Sequence, residues 1–122
     1  MTTAWSHLPN ARHIDRVLAH VQANPEKWDV GWHAARRVAW YGAWDVARAG
    51  ARGQAWHAAI DASRIAVSDS AKAAARDAML ALIAYDDSAR YLEYTPEELR
   101  VWSALSEDSG AMLLLPAVIA MA

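Results

Sequence analysis

Apolar residues recur along this chain at three- and four-residue intervals, and nowhere do they alternate singly between turn residues as a half-buried strand requires. Ile14, Val17, Leu18 and Val21 form the first such stripe. With Asn10 as a cap behind Pro9, they predict a helix from Ala11 to about Ala23, after an irregular segment over residues 1–9. Asn24-Pro25-Glu26 reads as a second start: a capping Asn, a proline where a missing N–H costs nothing, and an acid on the positive end of the helix dipole. Trp28, Trp32, Ala35, Ala39, Ala43 and Val46 then share one face and predict a helix running to about Ala49, closed by Gly50 and Gly53.

A third helix is expected from Gln54 to about Val67, with Trp56, Ile60, Ser63 and Val67 on one side and His57, Asp61 and Arg64 on the other. Ser68-Asp69-Ser70 reads as a turn and cap before a fourth helix, Ala71 to about Leu92. That helix is apolar nearly all round over residues 78–85, the mark of a central helix. Thr95-Pro96-Glu97-Glu98 is a capping box that opens a short fifth helix with Leu99, Trp102 and Leu105 inward. A last apolar helix, Met112 to Met121, must kink or split near Pro116. The expectation is an all-α fold, a compact single-domain bundle of five or six helices spanning residues 1–122.

Length and composition agree with one core. The chain has 122 residues, 55% of them hydrophobic and 21% charged, enough to bury roughly two-thirds of its unfolded surface. Its 29 alanines favour helix, and 7 tryptophans supply the bulk that the absent Phe would give. The absence of Cys excludes disulfides, thiolate catalysis, iron–sulfur clusters and the common structural zinc sites. A net charge of −2 gives no reason to expect nucleic acid or an anionic membrane. The first residues lack a signal-peptide pattern, and the longest apolar stretch, 111–122, is too short to span a bilayer. A cytoplasmic protein is expected.

Candidate chemistry is sparse. Arg36, Arg37, Trp40 and Trp44 lie away from the Trp28/Trp32 face, and Trp beside Arg is the composition of an interface hot spot. The other reading is that Trp40 and Trp44 pack against another helix with arginine stems over their rings. Tyr85, Asp86 and Asp87, together with His33, form an alternative ligand site. The two carboxylates would sit near the negative end of the fourth helix, where Asp86 can pair with Arg90. Asp77, on a stripe of small residues, calls for a structural partner. Five histidines show no zinc spacing, and there is no phosphate loop, nucleophile elbow or dinucleotide fingerprint, so no cofactor and no metal are expected.

The segments AWYGAWDVARAGARGQAWHAA, AAARDAMLALIAYDDSARYL, TPEEL and LLLPAVIA resemble small Ala/Trp-rich hypothetical proteins of phages and prophages, over roughly residues 25 to 120. The resemblance carries no functional residue across. It implies an accessory, host-directed role; with the Trp/Arg face beside it, the expectation is a non-enzymatic protein-interaction module, such as an anti-CRISPR-like inhibitor of a host defence system acting by occlusion. Two alternatives stand beside it: a small-molecule- or metal-binding helical protein, and a self-associating structural component with the C-terminal helix as its seam.

Overall fold

The computed structural model describes residues 5–35, 47, 50, 53–63, 68–106 and 109–122. It is an all-α bundle. In chain order the described elements are α1 (Ala11–Ala23), α2 (Pro25–Ala35), α3 (Gln54–Ser63), α4 (Asp69–Ala84), a 3-10 helix η1 (Ser88–Glu93), α5 (Pro96–Ser106) and α6 (Ser109–Met121). No strand occurs among the described residues. Of the continuation of the second helix toward Ala49 only Ala47, helical and buried, is described, and that of the third toward Val67 lies outside the described residues.

Three helices build the core. α2 packs most extensively on α6 and α4, and those two pack on each other, while α1 and α3 flank α4 and α5 leans on α6. In α4, residues 78–83 are all essentially inaccessible, as the all-round apolar pattern required. α2 contributes Trp28, Trp32 and Ala35, one face at helical spacing, and α1 contributes Ile14, Val17 and Val21; Leu18 is only half-buried. In α3 the buried residues are Ala55 and Ala59, and Trp56 and Ile60 lie beside them at the edge. Small residues let α3 approach α4 closely, so the inward face is one step away from the bulky one.

The tightest approach in the bundle is the crossing of α2 over α6. A Cβ built on Gly31 would lie 2.6 Å from the carbonyl oxygen of Pro116, closer than real Cβ atoms come. Only a residue without a side chain fits this crossing. Of the kink or split expected at Pro116 the split does not occur: α6 runs through the proline, and it begins at Ser109 rather than Met112. An internal proline costs about 3 kcal/mol through its lost hydrogen bond and ring clash. The buried Leu113, Leu114, Leu115, Ala117 and Val118 around it outweigh that cost, since each large apolar side chain contributes roughly 1.5–3 kcal/mol.

Two helix ends differ from expectation. Asn10 does not cap α1 with its side chain. Its amide nitrogen reaches across the fold instead, donating to the carbonyls of Leu82 (2.9 Å) and Tyr85 (3.0 Å). The fourth helix stops at Ala84, not Leu92; a turn follows and then η1. Asp86 and Asp87 would otherwise lie on the negative end of a helix dipole. The buried Ser88 hydroxyl lies 2.9 Å from Ala81 O and 2.8 Å from Tyr85 O, its single proton shared between them. The orphan carbonyls at this helix end are thus met by Asn10 and Ser88, both buried. Residues 5–10 are likewise no idle tail: Trp5 and Leu8 are buried, and the Trp5 indole donates to Asp15 Oδ1 at 2.9 Å.

Candidate functional site

The four residues proposed to contact a partner, Arg36, Arg37, Trp40 and Trp44, lie outside the described residues. What is described is the part of α2 just before them. α2 buries Trp28, Gly31 and Trp32 and turns Val30 outward, 64% exposed. Beside Val30 runs a shallow, open groove of about 310 Å³, bordered by Glu26 and Lys27 of α2 and by Ile119, Ala120 and Ala122 at the end of α6. Its floor is mainly aliphatic and a lysine and a glutamate edge it.

His33, on the next turn of α2, faces the start of α4. Its Nε2 lies 3.1 Å from the Ser70 hydroxyl and 3.6 Å from Asp29 Oδ1. Serine, histidine and aspartate in one place invite comparison with a nucleophilic triad, and the geometry rejects it. A triad holds the carboxylate on Nδ1 and the serine on Nε2; here both approach the same nitrogen, and 3.6 Å is beyond a hydrogen bond. The side chains of His33 and Asp29 are 64% and 44% exposed, so no water-excluded chamber surrounds them. The cluster ties α2 to the first turn of α4 at the surface, next to the Ser68 side chain, which accepts from Ala71 N at 3.1 Å and opens that helix.

The alternative ligand site does not assemble. Ser70, which His33 touches, and Tyr85 are at opposite ends of α4, about 22 Å apart at 1.5 Å per residue. His33 therefore cannot act with Tyr85, Asp86 and Asp87. The last two are exposed in the turn after α4, and Tyr85 is half-buried, its carbonyl engaged by Asn10 and Ser88. Asp87 acts on Arg90, although that guanidinium is directed first to Tyr91: Arg90 Nη2 donates to Tyr91 Oη at 2.8 Å, and Arg90 Cζ lies 4.8 Å from the ring centroid. The Tyr91 contact, then the carboxylate of Asp87, raise the Arg90 pKa. Tyr91 in turn packs edge-on against Tyr94. This is a local surface network built around a buried tyrosine. Among the described residues, no three His, Asp or Glu side chains converge to hold a metal ion. No described helix is long and apolar enough to cross a membrane.

The histidines divide by environment. His7 and His57 are exposed, as is His33. Burial, then the charges of Arg16 and Arg12, lower the pKa of His13, and its Nδ1 is buried without a hydrogen-bond partner. Burial and then Lys27 lower His20, whose Nδ1 accepts the Trp28 indole proton at 2.9 Å. Sequence reasoning missed this pair because an Asn-Pro break separates its members, so no single helical wheel carries both. Asp77 is fully buried in the middle of α4, where a carboxylate is costly without compensating contacts.

The C-terminal helix is not an exposed seam. Leu113, Leu114, Leu115, Ala117 and Val118 are spent on this chain's own core, leaving Met112, Ile119 and Met121 half-buried. Compared with known proteins, the chain matches no family model, no curated protein and no solved structure.

Proposed function

We propose that this protein is a non-enzymatic interaction module that binds a protein partner through the outward face of α2 and the residues following it. The observation that carries the reading is Val30, a large aliphatic side chain left 64% exposed on a helix whose other face is the centre of the core. Arg37 and Trp44 stand seven and fourteen positions after Val30 in the sequence, the spacing of one stripe on a continuous helix. An exposed aliphatic followed in the sequence by Arg and Trp at that spacing has the composition that a protein interface uses at its centre. The shallow groove beside Val30 suits a docking surface more than a chamber for a small molecule, which would bury most of its ligand. Within this reading, an anti-defence inhibitor of phage type that occludes a host protein is the specific form we favour.

Affinity purification from a bacterial lysate followed by native mass spectrometry tests it. The wild-type chain should carry one protein in fixed stoichiometry. Trp40→Ala, Trp44→Ala and Val30→Asp should each lose that protein while keeping wild-type helicity by circular dichroism. Unfolding of both Trp variants would make those residues core and defeat the proposal. A wild-type chain that emerges bare, or with a reproducible small-molecule adduct, would defeat it as well.

A further inference from the structure

Where α1 meets α2, one hydrogen bond depends on the protonation state of its acceptor. The Trp28 indole, on a side chain with no exposed surface, donates to His20 Nδ1 at 2.9 Å, the two rings meeting edge to face with centroids 6.0 Å apart. An indole nitrogen can only donate, so His20 must present a lone pair there and carry its proton on Nε2. The same residue anchors the corner between the helices through its backbone, since the His20 carbonyl accepts from Asn24 N (2.9 Å) and Asn24 Nδ2 (3.3 Å).

We propose that the Trp28–His20 contact is an acid-sensitive joint, closed between α1 and α2 while the imidazole is neutral and forced open when it takes a proton. The imidazolium carries N–H on both nitrogens. Two donors then face each other across 2.9 Å, and turning the ring over puts Cδ2–H in place of Nδ1–H, which offers the indole no acceptor either. The buried indole N–H, with no water to turn to, loses its acceptor. The charged group acting on the ring is Lys27, from α2; among the described residues no carboxylate of α1, α3 or α4 offsets it.

Burial first, then the Lys27 ammonium, hold the His20 pKa below 6.5 in the folded chain. A histidine depressed on folding is protonated more readily in the unfolded chain. The joint's contribution is therefore complete above pH 6.5 and is lost as the pH falls through the folded pKa.

The test uses the full chain labelled with nitrogen-15. The Trp28 indole resonance is assigned by its loss in Trp28→Phe, and both partners are followed from pH 8 to 5. We expect an unprotonated His20 Nδ1 at pH 7.5, a His20 midpoint below 6.5, and a Trp28 N–H that shifts and exchanges faster along the same curve. His20→Gln supplies a non-titrating acceptor and should lose less Tm than wild type between pH 7.5 and 5. A midpoint at or above 6.5, an indole signal indifferent to the His20 titration, or an equal loss of Tm in His20→Gln would overturn the proposal. Should His20→Gln fail to fold, the wild-type titration alone decides.

Discussion

At the scale of single residues, Gly31 is the position where ordinary substitution rules reverse. Replacing a helical glycine by alanine normally stabilises by about 0.5–1 kcal/mol. At Gly31 the new methyl would meet the Pro116 carbonyl at 2.6 Å, and neither backbone can yield without moving a helix. Gly31→Ala should lower stability in urea unfolding by about 1–3 kcal/mol, the usual cost of overpacking; the sign is the test. Asn10 is the second such residue. Asn10→Ala would strip hydrogen bonds from two carbonyls and should cost about 1–3 kcal/mol. Because Ser88 meets the same Tyr85 carbonyl, the double variant Asn10→Ala/Ser88→Ala should depart from additivity in a thermodynamic cycle. Neither role was legible in the sequence. A glycine within Trp28–Trp32 shows only its lack of a side chain, and an asparagine beside Pro9 looks like a local cap when its partners are more than seventy positions away.

At the scale of elements, local signals decided what was readable. The Thr95 capping box stands as its sequence dictates: Glu98 N donates to Thr95 Oγ1 at 3.2 Å and Thr95 N to Glu98 Oε1 at 3.0 Å. Thr95→Ala should cost about 1 kcal/mol, measurable as a lowered midpoint in denaturant. The reciprocal bonds from Thr95 hold the Glu98 pKa below 4.5, so this box is intact above that pH and its contribution fades as acid passes through the folded pKa. α1, α2 and α4 likewise begin where caps and prolines said, within two residues. The misread boundary was the end of α4, because apolar and alanine-rich sequence continues past it. The informative feature was the Asp86-Asp87 pair, set against the dipole, together with a serine able to fold back. α6 runs unsplit where its proline predicts a kink or a split when taken alone, because a buried helix is held by its neighbours as much as by its own hydrogen bonds.

At the scale of the whole molecule, helical periodicity gave the class and the central elements, Trp28/Trp32, α4 and the C-terminal helix. The proposed site was less legible, since an exposed aliphatic such as Val30 looks like any other in a sequence and is distinguished only by what surrounds it. The same holds for the ligand constellation of His33 with Tyr85, Asp86 and Asp87, which the length of α4 keeps apart. Acid should weaken the fold as a whole: His13 and His20 are both held below 6.5, so calorimetry should find Tm level above that pH and falling beneath it. The Asn10 latch has a bearing on how the chain comes to be made. Synthesis delivers Asn10 first and its acceptors 72 and 75 residues later, a delay of about 4–15 s at 5–20 residues per second. Through that interval α1 exists without the helix it docks on, its Ile14, Val17 and Val21 stripe open to whatever the ribosome's surroundings offer. A nascent chain of this protein should therefore engage a chaperone that favours exposed aliphatics until Tyr85 has emerged, and release it then.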